Sequence, residues 1–277
     1  MTGTLLLVAT PIGNLGELSP RAIEALASAD VIACEDTRRT GRLLEHAGVA
    51  KPKLLVVNDH TEAAATRTVL AALDDDLIVV VVTDAGMPGI SDPGERLVRA
   101  AVSAGHRVSV VAGPSAAIAA LVVSGLPTGR FVFEGFMPRK GSGRTARLAV
   151  LAQEPRTIVL YEAPHRVAAT VADLASALGP NRQIVMVREL TKLHEEVWRG
   201  GLGDALDHLH LIAPRGEYVL VVAGAPEAPP PTDEDIEHAL RAHLTAGTDR
   251  KSAVAEVARE LRVPKRVVYD ASLRLSP

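Results

Sequence analysis

Short, continuously apolar runs alternate with amphipathic stretches along the first half of the chain. Apolar runs of this kind are typical of strands that are covered on both faces of a sheet. Five of them predict strands, at residues 4–9, 31–34, 54–57, 77–82 and 108–111. The stretches between them predict helices, at residues 19–29, 40–47, 62–73, 94–104 and 115–123. This alternation predicts a parallel or mostly parallel sheet with helices on both faces.

The same alternation restarts after Gly125, Leu126 and Pro127. Further strands are predicted at residues 131–136, 157–161, 183–188 and 218–223, and further helices at residues 144–152 and 165–178. A glycine and a proline between two such series indicate a connection rather than a continuous element. We therefore predict a first α/β domain over residues 1–125 and a second over residues 126–224.

A proline-rich segment follows at residues 225–232, and its composition predicts an extended, semi-rigid linker. Beyond it, residues 233–277 are predicted to form a small tail of three short helices. Each helix has candidate residues for its first turn: Thr232 or Asp233, then Asp249 or Ser252, then Val263 with Pro264. The turn before the last helix is typical of a helix-turn-helix.

Two loops at predicted strand ends are rich in glycine and proline. The first, residues 10–16, lacks the glycine spacing of a dinucleotide-binding loop or a P-loop, so it fits either an ordinary turn or a close approach to a ligand. The second, residues 83–94, holds three glycines, two prolines and two aspartates. Asp84 fits either a turn cap or a contact with ligand hydroxyls or a cation. Long loops of this kind tend to be functional.

Polar residues follow the other predicted strands. Ser115 fits either a helix N-cap or part of a carboxylate-binding helix start. Residues 33–40 contain an acidic pair followed by an arginine pair, which fits a surface salt-bridge cluster or a polar site wall. His60 follows the third strand; a lone histidine is more often structural, yet strand ends are where this architecture binds ligands. Residues 161–166 and 188–196 supply Glu, Lys and His side chains suited to proton transfer.

Composition narrows the class of protein. The 277 residues are 47% hydrophobic and 23% charged, as in average globular chains, and a net charge of −3 excludes a strongly basic surface. A single cysteine, Cys34, excludes a disulfide framework and a multi-cysteine zinc site, and fits a reducing cytoplasm. No apolar run suits a signal peptide or a membrane span, and the histidine spacing matches no zinc motif. We expect a cytoplasmic protein without a metal or a membrane partner.

Basic charge is concentrated in two segments. Residues 130–147 hold five basic residues against one acid, and residues 249–277 hold seven against four. Either segment alone fits a solvated surface, but two of them on an acidic chain favour a nucleic-acid partner. The predicted RNA contacts are Arg139, Lys140, Arg144, Lys265 and Arg266.

Five segments occur together in a specific order, at residues 8–15, 34–38, 84–94, 134–136 and 161–166. This set closely resembles the bacterial 16S rRNA (cytidine-2′-O)-methyltransferases of the tetrapyrrole-methylase superfamily, over about residues 4–223. The tail resembles the helix-turn-helix that many of these enzymes carry. Porphyrin and corrin enzymes of the superfamily have a shorter second loop with a Gly-Asp-Pro segment, so the longer loop argues against a tetrapyrrole substrate.

The resemblance implies two α/β domains of the tetrapyrrole-methylase type, with a cofactor cleft between them, plus the small helical C-terminal tail. It also implies a homodimer, S-adenosylmethionine as cofactor, and a cytidine ribose in the decoding region of 16S rRNA, free or within the 30S subunit, as substrate. By matching motifs, the residues implied to bind the cofactor are Pro11, Asp84, Ala85, Gly86, Ile90, Ser91, Ser115, Ala116, Leu126, Ala163 and Pro164.

A ribose 2′-hydroxyl is a weak nucleophile, so its methylation needs an in-line approach and help in removing the proton. We hypothesise that the groups that orient or deprotonate it are among Glu35, Arg38, His60, Glu189 and Lys192. Two other functions remain open. One is a small-molecule methyltransferase acting on a tetrapyrrole, and the other is a non-catalytic RNA-binding factor in ribosome assembly.

Overall fold

The structure, a computed structural model of the chain, describes residues 3–50, 52–58, 61–226 and 230–275. Residues Met1–Ala225 form one compact unit, and Pro226–Pro277 form another. The first unit contains two five-stranded sheets, and the second is built from helices. The candidate catalytic residue His60 lies outside the described residues.

The first sheet is entirely parallel, as the alternation of strands and helices predicts. Its strands are β1 Thr4–Val8, β2 Val31–Cys34, β3 Lys53–Val56, β4 Ile78–Val82 and β5 Arg107–Val111. They lie in the order β3-β2-β4-β1-β5, so β4 is the central strand. The continuously apolar sequence of β4 suits this position, because its last four residues are all buried.

Five helices belong to this half of the unit: α1 Pro20–Ala27, α2 Thr37–His46, α3 Glu62–Asp74, α4 Glu95–Ser103 and α5 Ala116–Ser124. The start of α1 is confirmed, since the Ser19 hydroxyl accepts a hydrogen bond from the Ala22 N–H at 3.1 Å and Pro20 follows the cap. Gly125 ends α5 in the left-handed conformation, with φ of 78°, which glycine adopts without steric cost.

Side chains of the first sheet alternate between two buried layers. Ile32 and Val80 belong to an apolar cluster with residues of α1 and α2. Their neighbours Val31 and Val79 belong to a cluster with residues of α3 and α4. Both faces are therefore covered by helices, and this explains why the strands are apolar throughout rather than alternating.

The second sheet is mixed, unlike the arrangement that the repeated alternation suggests. Its strands are β6 Phe131–Phe136, β7 Thr157–Glu162, β8 Gln183–Arg188, β9 Glu196–Gly201 and β10 Tyr218–Val222. They lie in the order β6-β7-β10-β8-β9, and β6 is parallel to β7 while the other three pairings are antiparallel. A short connection brings β9 back beside β8, which antiparallel pairing permits without a crossover helix.

Three helices accompany this sheet: α6 Ser142–Ala152, α7 Val167–Leu178 and α8 Leu202–Leu211. The sequence prediction misses β9 and α8. β9 is a partly exposed edge strand that ends in two glycines, and α8 has Gly203 in its first turn. Neither segment carries the strong apolar pattern that identifies the other elements.

Alternate side chains of the second sheet face different helices. Ile158 and Leu160 lie in a cluster with α6, α7 and α8, whereas Val159 lies in a cluster with Ala120 and Leu121 of α5. α5 follows the first sheet in the sequence but packs on the second. This packing ties the two halves of the first unit together.

The second unit consists of α9 Asp233–Thr245, α10 Arg250–Glu260 and α11 Lys265–Arg274. Thr232 caps α9 with a capping box, and the Asp249 carboxylate accepts from the N–H groups at the start of α10, so both predicted caps are confirmed. Ile236, Leu240 and Val268 contribute to its own buried cluster. No helix in the described ranges of the chain combines the length and apolar character needed to cross a membrane.

Arg144 lies inside the second half rather than on a flexible cationic loop. It belongs to α6 and is only 9% exposed. Its guanidinium donates to Asp173 Oδ2 at 2.6 Å, to the Pro138 carbonyl at 2.8 Å and to Thr170 Oγ1 at 3.1 Å. These internal contacts fix the start of α6 to α7 and to the preceding loop. We therefore correct the prediction that Arg144 contacts RNA.

The substitution Arg144→Ala is expected to lower the free energy of unfolding by about 2–3 kcal/mol, because it removes hydrogen bonds to a charged group and leaves Thr170 and Asp173 without this partner. The control Arg139→Ala removes an exposed arginine from the loop that precedes α6 and should change stability by less than about 0.5 kcal/mol. Urea unfolding followed by circular dichroism measures both. Equal stability of the two variants would contradict the structural role of Arg144.

Candidate active site

A cavity of about 430 Å³ lies at strand ends in both halves of the first unit. The first half contributes the loops that follow β1, β4 and β5, and the second contributes the loop that follows β7 and the start of β10. The volume falls within the range of about 300–1,000 Å³ that is typical of small-molecule sites. Ligands of open α/β sheets bind at the carboxyl ends of strands, so this cavity is the candidate ligand site.

Most of the residues predicted to bind the cofactor meet in this cavity. Eight of the eleven line it: Ala85, Gly86, Ile90, Ser91, Ser115, Ala116, Ala163 and Pro164. Pro11 and Asp84 line a second cavity instead. Leu126 packs with α5 against the second sheet. The eight lining residues come from three segments that are far apart in the sequence.

Backbone hydrogen bonds join the first and second loops. The Thr10 N–H donates to the Gly86 carbonyl at 2.9 Å, and the Gly86 N–H donates to the Thr10 carbonyl at 3.1 Å. The Thr10 hydroxyl also donates to the Thr83 carbonyl at 3.1 Å. Gly86 has a φ of 86°, and a Cβ there would lie 3.4 Å from Cγ2 of Ile12. Glycine therefore permits both the left-handed conformation and the close approach.

The second loop also contacts the second sheet. Ser91 has a φ of 62°, which non-glycine residues adopt rarely. A Cβ added to Gly135 in β6 would lie 2.9 Å from Oγ of Ser91, so a glycine leaves room for this side chain. Such strain persists where surrounding contacts hold it, and it is often found at functional sites.

Aromatic side chains form part of the cavity wall, although the chain has only seven. Phe136, Tyr161 and Tyr218 line the cavity. Tyr161 packs edge-on against Phe133, with ring centroids 5.0 Å apart, and its hydroxyl accepts from the Ala117 N–H at 3.2 Å. Burial raises the pKa of Tyr161, so its hydroxyl stays protonated. None of the three was predicted as a site residue; their rarity in the sequence was the available signal.

A buried carboxylate lies behind the wall in the second half. The Glu162 side chain is fully buried; it accepts from the Ala163 N–H at 2.9 Å and from the Thr170 hydroxyl at 2.6 Å. Arg166 pairs with Glu162 at 3.3 Å and donates to the Met137 carbonyl at 2.6 Å. One network therefore fixes both the cavity wall and the loop between β6 and α6.

Acidic side chains gather beside the second loop. The Thr83 hydroxyl donates to Oε2 of Glu35 at 3.5 Å, and Asp84 forms an ion pair with Arg39 at 3.4 Å. Burial raises the pKa of the Glu35 carboxyl, and the negative charges of Asp84 and Asp92 raise it further. Burial also raises the pKa of Asp84, against the opposing charge of Arg39. A raised pKa brings a carboxylate closer to the value that suits a general base.

Arg38 lies at the surface, at the start of α2. Its side chain is 87% exposed and donates to the Asp36 carboxylate at 2.9 Å. Asp36 caps the helix by accepting from the Arg38 N–H at 2.7 Å, and the hydrogen bonds from Arg38 lower the pKa of Asp36. This pair stabilises the helix start and is not part of the cavity lining.

Lys192 connects the second half to the first loop. Its Nζ donates to Glu189 Oε1 at 2.9 Å and to Glu217 Oε2 at 2.8 Å. A Cβ added to Gly13 would overlap Cγ of Lys192, so only glycine leaves room for this contact. Glu189 and Thr191 both have positive φ, at 51° and 64°, which marks this connection as strained.

Hydrogen bonds stabilise the charged forms of both Lys192 and Glu189. Burial alone would lower the pKa of Lys192, but the hydrogen bonds to Glu217 and Glu189 outweigh it and raise that pKa. Burial alone would raise the pKa of Glu189, but the hydrogen bond from Lys192 outweighs it and lowers that pKa. Both side chains therefore stay charged near neutral pH, which suits orientation of a ligand better than proton transfer.

The candidate catalytic residues thus fall into separate groups. Glu35 lies with the acidic side chains of the second loop, and Glu189 lies with Lys192. Among the described residues, no hydrogen bond or ion pair joins these two groups. Glu217 was not predicted as a site residue. It connects the Lys192 group to the cavity, because it accepts a hydrogen bond from Lys192 and also lines the cavity.

The remaining predicted RNA contacts are exposed. Arg139 and Lys140 lie on the loop between β6 and α6, and Lys265 and Arg266 lie in the first turn of α11. Their side chains face solvent, where phosphates can reach them. Within the part of the chain that the structure describes, no group of three or more His, Cys, Asp or Glu residues is placed to hold a metal ion.

The sequence matches a known family over most of its length and individual relatives over almost all of it. Residues 4–206 match the family described as Tetrapyrrole (Corrin/Porphyrin) Methylases. The chain is 47% identical to "Ribosomal RNA small subunit methyltransferase I" of Synechocystis, covering 99% of this chain and 98% of the relative. It is 45% identical to the protein of that name from Mycobacterium tuberculosis (99% and 95% covered) and 42% identical to that from Escherichia coli O157:H7 (98% and 95% covered).

Solved structures share the fold at lower identity. The methyltransferase CobJ is 20% identical with a TM-score of 0.62, covering 83% of this chain and 98% of that one. Uroporphyrin-III C-methyltransferase from Thermus thermophilus, complexed with S-adenosylhomocysteine, is 20% identical with a TM-score of 0.55, covering 80% and 97%. The α/β architecture is therefore that of the tetrapyrrole methylases. The chain belongs to the tetrapyrrole (corrin/porphyrin) methylase family and, within it, to the group of ribosomal RNA small subunit methyltransferases I.

Proposed function

We propose that this protein is an S-adenosylmethionine-dependent methyltransferase that methylates the ribose 2′-hydroxyl of a cytidine in 16S rRNA. One observation carries the proposal: the similarity to the small subunit methyltransferases spans 98–99% of this chain, and so includes the helical second unit. The two solved structures described above, CobJ and the uroporphyrin-III C-methyltransferase, cover 83% and 80% of it. A relationship that includes the second unit favours an rRNA substrate over a tetrapyrrole.

The cavity between the two sheets fits S-adenosylmethionine by its chemistry. Its wall is mostly apolar and includes the rings of Phe136 and Tyr161, which suit a purine. Asp92 also lines it, and a carboxylate favours a cationic ligand. The start of α5, at Ser115 and Ala116, presents helix N–H groups that suit the carboxylate of an amino acid.

When bound, S-adenosylmethionine supplies a methyl group on a positively charged sulfonium. The eight predicted residues that line the cavity are proposed to hold the cofactor. Pro11 and Asp84 lie on the same two loops but line the neighbouring cavity, and Leu126 packs behind the wall. Their contribution is to orient the cofactor and to exclude water, both of which favour an in-line transfer.

Glu35 is our candidate for the general base. In this scheme its carboxylate would accept the proton of the 2′-hydroxyl, while the cofactor would supply the methyl group by loss of its methyl–sulfur bond and leave as the neutral thioether. Its place beside Thr83 and its raised pKa support this role. Lys192 and Glu189 are proposed to orient the RNA near the cavity mouth, and Arg38 and His60 stay candidates for contacts with the strand.

The exposed basic residues are proposed to bind RNA phosphates. Arg139 and Lys140 would act beside the cavity, where the network of Glu162 fixes the base of their loop. Lys265 and Arg266 would add contacts from the second unit. Because a ribose within folded RNA must reach the cavity, these contacts would hold a splayed strand. An rRNA substrate implies that the protein acts in the cytoplasm.

A homodimer is also part of the proposal. α5 buries one side against the second sheet, yet Ile118 and Val122 on its other side are 47% and 67% exposed. A helix that is apolar all round is usually buried on all sides. Exposed apolar surface of this kind supports an interface with a second copy of the chain.

Methyl transfer is the direct test of the proposed function. We expect the protein to transfer tritium from labelled S-adenosylmethionine to 16S rRNA, or to 30S subunits, from cells that lack this methyl group. Nucleoside analysis should then find the label in 2′-O-methylcytidine. Label on a tetrapyrrole instead of RNA would favour the small-molecule alternative. Cofactor binding without any transfer would favour the non-catalytic assembly factor, and both results would contradict the proposal.

The variant Glu35→Gln is expected to lower kcat by about 10²–10⁴-fold, as for loss of a general base, while the Kd for the cofactor stays unchanged. In the wild type, kcat should fall as pH falls through the raised pKa of Glu35. The pKa read from this acidic limb of the pH–rate profile should lie above the ordinary carboxyl value of 4.5. The variant should lack this limb. Rate measurements across the acidic range test both statements.

Stability separates this catalytic role from a structural one. A carboxyl whose folded-state pKa lies above its unfolded-state value stabilises the fold at low pH and loses that contribution as pH rises. The ionised Glu35 therefore costs stability near neutral pH. Glu35→Gln should have an equal or higher Tm there, measured by calorimetry. A lower Tm in parallel with lost activity would mean that Glu35 acts on the fold.

The variant Val122→Asp is expected to convert the dimer to a monomer, because a charge cannot be buried unpaired in an apolar interface. The matched control is Val150→Asp on α6, where the valine is 57% exposed and lies on a different helix. Light scattering after size-exclusion chromatography measures the mass of each. A monomeric wild type, or a dimer that survives Val122→Asp, would refute this interface.

A further inference from the structure

A second cavity of about 360 Å³ lies beside the one assigned to the cofactor. It is lined by residues of the first loop, the second loop and α2. Pro11 and Asp84 face this cavity, and the next residues in the chain, Ile12 and Ala85, face the cofactor cavity. The two cavities therefore share the pair of loops that the Thr10 hydrogen bonds hold together.

This position meets a requirement of the proposed reaction. A methyl transfer needs donor and acceptor held next to each other, with the reacting atoms about 3–3.5 Å apart in a near-attack arrangement. A ligand in the second cavity lies next to the cofactor because the same two loops border both. Glu35 is close to it as well, since Thr83 lines the second cavity and donates to the Glu35 carboxylate.

The charges of the second cavity suit an anion. Arg39 and Arg42 both line it, and the Arg39 guanidinium forms an ion pair with Asp84 at 3.4 Å. Within the described part of the chain, no carboxylate lies within 4.0 Å of the Arg42 guanidinium. Arg42 therefore brings a positive charge that Asp84 does not neutralise. A guanidinium at such a place is well suited to a phosphate.

The other lining groups suit the rest of a nucleotide. Pro11 and Leu15 provide apolar surface, and Leu15 is 44% exposed, so a flat base can pack against it. Asp84 and Thr83 provide a carboxylate and a hydroxyl for the sugar hydroxyls or for an exocyclic amine. A phosphate, a ring and a sugar are the parts of one nucleotide, and the cavity offers a group for each.

We propose that this cavity binds the target nucleotide of the RNA strand, with Arg42 on its phosphate, Pro11 and Leu15 against its base, and Asp84 beside its sugar. The inference deepens the proposed function and rests on it for the identity of the ligand. It also distinguishes the two arginines of the pair in the segment at residues 33–40: Arg39 lines the cavity, together with Arg42, whereas Arg38 does not.

Kinetics of the full-length protein test the phosphate contact. Arg42→Ala should raise the KM for 16S rRNA about tenfold, as expected for a lost charge-assisted hydrogen bond, and should reduce the slope of log KM against log salt by about 1. The Kd of the variant for S-adenosylmethionine should differ from that of the wild type by less than about twofold. The matched control is Arg67→Ala, an exposed arginine of α3 that lines neither cavity, and it should leave all three quantities unchanged. Equal KM values for the two variants would overturn the assignment.

Binding of cytidine 5′-monophosphate separates this inference from the proposed function. Saturation-transfer NMR should detect the nucleotide on the wild type and on Arg67→Ala, with or without S-adenosylmethionine, and should lose the signal on Arg42→Ala. Displacement of the nucleotide by the cofactor would overturn the assignment, because the ligand would then lie in the cofactor cavity. If the wild type methylates no RNA, the proposed function fails, and the NMR result still decides whether this cavity takes a nucleotide.

Discussion

Two backbone hydrogen bonds between Thr10 and Gly86 hold together the loops on which both cavities depend. They are possible because Gly86 adopts a left-handed conformation and leaves room for Ile12. Because the loops are paired through their backbones, the side chains of consecutive residues are free to face different cavities, as Pro11 and Ile12 do. Cofactor and substrate are thereby proposed to lie next to each other, because the same two loops line both cavities.

The second half of the first unit is organised by a buried polar network. Glu162, Thr170 and Arg144 are connected by hydrogen bonds, and Arg166 extends the network to the loop after β6. Because a buried polar group that lacks a partner is costly, such a network specifies one arrangement of the cavity wall and of the nearby basic loop. The wall and the proposed RNA contacts are therefore fixed by the same side chains.

Patterns along the chain were sufficient for most of the first sheet but not for the second. A strand covered by helices on both faces, such as β4, is recognisable because it is apolar throughout. The edge strand β9 and the helix α8 lack such a pattern, and strand direction depends on connections that propensity does not encode. The same limit explains Arg144: its spacing in a basic segment resembled a phosphate contact, whereas its burial depends on Asp173 and Thr170, which are distant in sequence.

The sequence by itself determined the α/β class of the first half, the three helices of the tail, and the glycine-rich loops whose residues line the two cavities. These features depend on local patterns and on residue types that few other conformations tolerate. Only the tertiary structure decided which side chains share an environment: Glu35 with Asp84, Lys192 with Glu217, and Arg42 with Asp84 in the lining of the second cavity. Such groups come from distant segments, and their charges and pKa values depend on burial and on neighbours that exist only after the chain has folded.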